Sequence, residues 1–286
     1  MDLSKFTFHG KFLMLALDHR GSIKKLMNPN DPESVADEDV IDLKSEIIQA
    51  LADQFSGVLI DEVWGIEACK EVCQVKPFLL PLEKTGYIDS DGEKITELEY
   101  SVEQIKEMGA SGAKLLIYFN PNVESAGKQL ETARKVMEDC KANDFPFFLE
   151  IVTYANTSEV SAQGSAGLHL GGGALVLESV KMFLENGIVP NVWKLEYPGS
   201  EEKCREITEL VGNTPWILLT GGQTFDEFRP ELEIAIKVGA KGFLAGRALW
   251  QEVCTLNGEE KQNFLQHTLP ERFKIIAKIA TMGTNA

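Results

Sequence analysis

The chain has 286 residues, 44 % of them hydrophobic and 25 % charged, with a formal net charge of −16. This is the composition of an ordinary globular protein whose core needs no covalent staple. So acidic a chain lacks the clustered Lys and Arg that hold a nucleic-acid backbone, and an anionic membrane would repel it. Neither is expected as a partner, but a small anionic ligand stays open, because backbone N–H groups at helix N-termini bind phosphate whatever the global charge.

Five cysteines (Cys69, Cys73, Cys140, Cys204 and Cys254) are odd in number and scattered, and all five are read as reduced thiols of a cytosolic protein. No apolar run reaches the ~18–20 residues of a membrane span. The N-terminal MDLSKFTFHGKF has no apolar region of a signal peptide, so the expected location is the cytoplasm.

In chain order, apolar runs of strand length alternate with amphipathic stretches. FLMLALD (12–18) is followed by helix-like 41–55, then by GVLID (57–61) and PFLLPLE (77–83). After a polar stretch, KTGYIDSDGEKITELEY (84–100), come a helix at 101–109, AKLLIYF (113–119), a helix at 126–143 and PFFLEIVTY (146–154). A second long loop, 155–173, precedes a helix at 174–187 and VWKLEYP (192–198). PWILLTGG (215–222), a helix at 231–239, GFLAGRALW (242–250) and a last helix at 261–281 complete the chain. Gly109, Gly187 and Gly239 stand where left-handed helix stops are expected.

Strand–helix repeats of this kind build parallel sheets, and eight runs predict an α/β protein with one (β/α)8 TIM-barrel domain over residues 1–286. The rival, a doubly wound open sheet, lacks a Gly-x-Gly-x-x-Gly fingerprint after the first strand. Both long loops follow strands, so they belong to the C-terminal face, where barrel enzymes build their active sites.

Charges inside barrel strands are costly unless paired, so the residues that interrupt the apolar runs are the informative ones. With a period of two, Lys194 shares a face with Val192 and Glu196, while Trp193, Leu195 and Tyr197 face the helices. Glu150 is in phase with Phe148 and Val152, and Lys114 with Leu116 and Tyr118. The first strand ends in Asp18, His19 and Arg20, the third in Glu83 and Lys84. A lysine beside another cation in a partly dry site loses its proton more readily, and the neutral amine can attack a ketone; a nearby carboxylate moves the protons. A satisfied ion-pair network would place the same residue types in the same strands.

Gly221 and Gly222 end the seventh run, and Gly246 and Arg247 follow the core of the eighth. Loops after these two strands often bind phosphate: glycine admits the anion to backbone N–H groups, and Arg offers a forked contact.

The segments LALDHRGSIKKLM (15–27), LEKTGY (82–87), GAKLLIYFNPN (112–122), FFLEIVTY (147–154), VWKLEYP (192–198), WILLTGGQTFDEF (216–228) and GFLAGRALW (242–250) resemble, in order, the class I tagatose 1,6-bisphosphate aldolases and related ketose-phosphate aldolases. The resemblance implies Schiff-base cleavage of a sugar phosphate with no metal and no cofactor. It makes Lys194 the iminium lysine, Glu150 the proton shuttle and Lys114 a further catalytic residue. It sets Asp18, His19, Arg20 and Glu83 against the sugar, and Gly221, Gly222, Gly246 and Arg247 around one phosphate. His19 stands where the bisphosphate enzymes carry Gln, and the 155–173 loop departs from the family pattern. Sulfofructose phosphate and deoxy-keto-gluconate phosphate are therefore alternative substrates. His169, in that loop, is a further candidate; His9 and His267 lie apart from the strand ends. The other readings are a non-catalytic sugar-phosphate sensor and a phosphosugar isomerase or epimerase, neither of which needs the Lys194 and Glu150 pair. Assembly as a homo-oligomer is compatible with all of them.

Overall fold

The computed structural model describes residues 1–90, 92–155 and 173–282. The apolar runs become strands β1 (Phe12–Leu17), β2 (Gly57–Ile60), β3 (Phe78–Pro81), and, after a hairpin of β4 (Ile88–Ser90) and β5 (Glu93–Ile95), β6 (Gly112–Phe119). β7 (Phe147–Thr153), β8 (Val192–Leu195), β9 (Trp216–Leu219) and β10 (Gly242–Ala245) follow. Eight of them close a barrel in the order β1-β10-β9-β8-β7-β6-β3-β2, all neighbours parallel, with helices in the connections.

The period-two reading holds across the barrel wall. Phe12, Met14, Ala16, Leu59, Leu79, Phe148, Val192, Ile217 and Leu244 point inward and form one apolar cluster. Phe6 closes its lower end, edge-on to Phe148 at 5.3 Å between ring centroids. The residues between them, such as Leu13, Leu15, Leu149, Trp193, Leu195 and Phe243, pack outward against the helices in a second, larger cluster. The apolar floor stops just where the charges begin: Phe148 is followed in phase by Glu150, and Val192 by Lys194.

Some expectations shift. The first long helix is Asp37–Leu51, earlier than the expected 41–55, because Asp37, Glu38 and Asp39 load its first turn, where the helix dipole favours negative charge. The polar stretch 84–100 carries the β4–β5 hairpin, tied back to the barrel by a bridge between Glu83 and Leu98. The last run breaks after Ala245: Gly246 turns the chain, and Arg247–Trp250 begins a helical turn. The last helix is split into Gly258–Asn263, a π-turn and Leu269–Thr281.

The expectation of five free thiols is corrected. Cys69 and Cys73 form a disulfide, with a Cα separation of 5.4 Å. They lie four apart in sequence, and the helix Gly65–Cys69 ends between them, where a 3-10 turn, Val72–Gln74, brings the second cysteine back. Cys140, Cys204 and Cys254 are free and buried, and burial pushes each thiol up to about 12. No helix among the described residues is long and apolar enough to cross a membrane.

Candidate active site

The C-terminal ends of the strands enclose a cavity of about 600 Å³, lined among others by Asp18, His19, Arg20, Glu83, Lys114, Glu150, Lys194, Gly221, Gly222, Gly246 and Arg247. Every site residue expected from the sequence within the described residues therefore meets in one place. His169 lies outside the described residues.

At its centre is a chain of alternating charges. β7 and β8 set Glu150 directly opposite Lys194, and Glu150 Oε2 stands 2.8 Å from Lys194 Nζ. The same oxygen is 3.1 Å from Lys114 Nζ on the other side. Lys114 also reaches Asp18 Oδ2 at 2.9 Å and makes a close contact with Glu83 Oε1. The second oxygen of Glu83 accepts from the Leu116 N–H at 3.1 Å. Lys114, Lys194 and Glu150 are almost wholly buried, and each is ion-paired with another member of this network.

The charges act on one another unequally. Burial alone would pull the Lys114 ammonium down, but Asp18, Glu150 and Glu83 around it hold it well above its ordinary value. Burial likewise opposes ionisation of Asp18, and the neighbouring Lys114, Lys194 and His19 overcome it, keeping the carboxyl well below the usual range. Glu83 goes the other way: burial raises it, and one ammonium shared among three carboxylates does not restore it. Lys114 is thus a fixed cation.

His19 is neutral. Burial drives it down to about 3, Asp18 pulls the other way, and Arg247, Lys44 and Lys194 add to the fall. Its ring lies edge-on to Trp250 at 4.9 Å, and its buried Nδ1 has no hydrogen-bond partner. Arg20 donates to Glu62 Oε1 at 3.0 Å and to the Glu83 carbonyl at 2.9 Å, so it holds the ends of β2 and β3 together while lining the cavity.

The loops after β9 and β10 bring their glycines close to Arg247 and His19. Gly221 and Gly222 both take positive φ, 53° and 83°. A Cβ on Gly222 would lie 3.0 Å from Arg247 Nη2, so the guanidinium rests where a side chain would otherwise stand. A Cβ on Gly246 would meet the Ala16 carbonyl and the His19 ring, both at 3.1 Å.

Two residues, one lining the cavity and one behind it, escaped the sequence reading. Glu196 was seen to share a face with Lys194 but was given no role. It is buried; its Oε2 accepts from the Thr153 N–H and hydroxyl, both at 2.8 Å, and its Oε1 has no partner. Burial, set against the Thr153 hydrogen bonds and reinforced by Glu150, pushes its carboxyl up to about 7. Lys44 is fully buried and donates to the Leu17 and His19 carbonyls at 3.0 and 2.9 Å while contacting Asp61. Its signal was available: Lys44 interrupts the apolar face Val40, Leu43, Ile47, Ile48, Leu51. Among the described residues, no group of three or more His, Cys, Asp and Glu side chains could hold a metal ion.

The closed parallel barrel is an architecture shared with solved aldolases. An archaeal fructose 1,6-bisphosphate aldolase superposes with a TM-score of 0.66 at 22 % identity, over 96 % of this chain and 97 % of that one. A Schiff-base-forming fructose-1,6-bisphosphate aldolase gives a TM-score of 0.64 at 23 % identity, over 93 % and 96 %. In sequence, the chain is 30 % identical to tagatose 1,6-diphosphate aldolase 2 of Streptococcus agalactiae, over 85 % of this chain and 81 % of that protein. It is 29 % identical to the tagatose 1,6-diphosphate aldolase of Lactococcus lactis, with the same coverage of each. The profile of the DeoC/LacD family aldolases matches residues 12–252, and the chain belongs to that family of class I aldolases.

Proposed function

We propose that this aldolase cleaves a six-carbon ketose phosphate through a Schiff base on Lys194, with tagatose 1,6-bisphosphate as the first candidate and dihydroxyacetone phosphate and glyceraldehyde 3-phosphate as products. The observation that carries the reading is the Lys194–Glu150–Lys114 chain, with contacts of 2.8 and 3.1 Å in the barrel mouth. An amine nucleophile, a carboxylate within proton-transfer distance and a cation fixing that carboxylate are what carbonyl attack requires.

Glu150 takes a proton from Lys194, whose neutral amine attacks C2 of the ketose. The C2–N bond forms, the carbonyl oxygen is protonated, and it leaves as water to give the iminium. Glu150, directly or through a water molecule, then removes the C4 hydroxyl proton. The C3–C4 bond breaks, its electron pair flows to the iminium nitrogen, and the aldehyde departs. Protonation of the enamine at C3 and hydrolysis return Lys194. Because the iminium is the electron sink, the scheme uses neither metal nor cofactor. Gly221, Gly222, Gly246 and Arg247 hold one phosphate, and Asp18, neutral His19 and Glu83 hydrogen-bond the sugar hydroxyls. Arg20 supports Glu83 from behind. The proposed location is the cytoplasm, where such sugar phosphates are metabolised.

The test is borohydride trapping. With dihydroxyacetone phosphate the reduced adduct should lie on the peptide containing Lys194; an adduct on Lys114 would reverse the two lysines, and cleavage without any lysine adduct would sink the mechanism. Coupled triose-phosphate detection across tagatose and fructose bisphosphates, sulfofructose phosphate and deoxy-keto-gluconate phosphate ranks the substrates.

A further inference from the structure

Glu196 follows β8 on the face that carries Lys194, and both residues line the mouth cavity. Thr153, the last residue of β7, donates to Glu196 Oε2 from its N–H and its hydroxyl, both at 2.8 Å. These bonds join β7 and β8 one level nearer the mouth than the contact between Glu150 and Lys194 on the same two strands. The Glu196 carboxyl therefore stands over the ion pair, on the side from which a substrate reaches it.

Two hydrogens already point at Oε2, which makes it the carbonyl-like oxygen of the carboxyl. Oε1 is buried and has no partner. A buried anionic oxygen without a donor is costly, whereas a proton on Oε1 removes the charge and turns that oxygen into a donor. The surroundings favour the proton. Burial opposes ionisation most strongly; the Thr153 bonds favour it, Glu150 on β7 opposes it and Lys94 on β5 favours it, and the carboxyl is pushed up to about 7. On the other side Glu196 shares a second cavity, of about 170 Å³, with Tyr197 and with Glu231 of the helix Phe225–Lys237. Glu231 is itself raised by burial and brings no cation.

Glu150 Oε2, held between the Lys194 and Lys114 ammoniums, is placed to accept protons. Attack of the Lys194 amine on C2 makes a second demand, because the carbonyl electron pair moves onto oxygen. A fixed donor aimed at that oxygen lowers the barrier.

We propose that Glu196, in its neutral form, is a further catalytic residue: its Oε1–H donates a hydrogen bond to the C2 oxygen of the substrate while the C2–N bond forms and until that oxygen leaves as water. The proton stays on Glu196 throughout, so the transfers carried by Glu150 are unchanged. The role rests on the aldolase reading of Lys194 and sets beside its base a carboxyl of opposite protonation.

The experiment times formation of the dihydroxyacetone phosphate adduct on Lys194, by quenching into borohydride, in wild type, Glu196→Gln and Glu196→Leu. A glutamine side chain accepts from Thr153 as the carboxyl does and carries an N–H donor at every pH. The wild-type rate divided by the Glu196→Gln rate should therefore fall by about tenfold or more as pH rises through about 7, the contributions of Glu150, Lys94, Lys194 and Glu231 being common to both proteins. Glu196→Leu, with no donor, should form the adduct about 10²–10³-fold more slowly below that pH, with little change in its affinity for the triose phosphate. A ratio constant with pH, or adduct formation in Glu196→Leu at the wild-type rate, would overturn the role and leave Glu196 as a support for Thr153. Should Glu196→Leu fail to fold, the ratio of wild type to Glu196→Gln decides alone. No adduct in wild type at any pH would instead remove the Lys194 reading, and this role with it.

Discussion

Glu150 and Lys194 face each other in register on adjacent strands, carboxylate to ammonium at 2.8 Å, at the level where the apolar filling of the barrel ends. Lys194→Arg keeps the charge but offers a guanidinium that stays protonated and cannot attack a carbonyl, so cleavage and trapping should both vanish in a folded protein. Glu150→Gln keeps the nucleophile and should still trap some adduct, while kcat falls by about 10²–10⁴. Full turnover in Glu150→Gln would remove the carboxylate from the mechanism.

Lys114 is the common partner of Asp18, Glu83 and Glu150. Lys114→Met leaves three carboxylates facing one another without a cation. At pH 7 the variant should lose about 3–5 kcal/mol of stability, the scale for one partner removed from a buried pair. The sign with pH is definite. Lys114 helps hold Asp18 below the ordinary carboxylate range, so that contribution in the wild type is present above that range and lost as pH falls through it. In the variant the unpaired carboxyls rise instead and are relieved by protonation. The stability gap should therefore narrow from pH 7 to pH 4.5 in urea titrations; a constant gap would mean that Lys114 does not bear on these carboxyls.

Gly222 and Arg247 form a matched pair, since a Cβ at 222 would come within 3.0 Å of the guanidinium. Gly222→Ala should push Arg247 aside, and Arg247→Ala should remove it, weakening the phosphorylated substrate by roughly 1.5–3 kcal/mol, the scale of a charged hydrogen bond. Both changes should appear in KM, and the double variant should be little worse than Arg247→Ala alone. Additive losses would place the two residues on different parts of the ligand.

The Glu196 carboxyl, raised by burial to about 7 from an ordinary 4.5, makes a second pH test. A group raised on folding contributes most below its unfolded pKa and loses that contribution as pH rises through the folded one. Wild type should thus lose up to about 3 kcal/mol relative to Glu196→Gln between pH 4.5 and pH 8. Parallel stability curves for the two proteins would show that Glu196 titrates as an exposed carboxyl does.

The barrel was legible because burial on both faces leaves each strand as an apolar run, and the central charges because they interrupt those runs in the inward phase. Lys194 and Glu150 are readable from period two alone, with Phe148 and Val192 marking the interior face. The placement of Lys94 over the rings of Tyr87, Tyr118 and Tyr154 was not, because those rings come from three separate stretches of chain, and in sequence Lys94 is one lysine in a polar loop. The Cys69–Cys73 bond was missed because it depends on a helix ending between the two residues, and helix ends are the least certain feature of a pattern. Arg20 was expected at the sugar, but the carboxylate that takes one end of its fork, Glu62, belongs to a segment whose approach only the closed barrel determines.

Lys44 grips the carbonyls of Leu17 and His19, on either side of Asp18, from a helix packed on the outside of the barrel, with Asp61 completing the clasp and in turn accepting the Trp64 N–H at 2.8 Å. The loop that presents Asp18 and His19 is thereby ordered when the chain folds and not when the sugar arrives. Its conformational entropy is lost once, in folding, so each encounter with substrate meets a rigid surface on that side of the mouth. Adaptation to differently shaped sugars then falls to connections without such a clasp, such as that between β3 and β6, which can change length without disturbing any barrel strand.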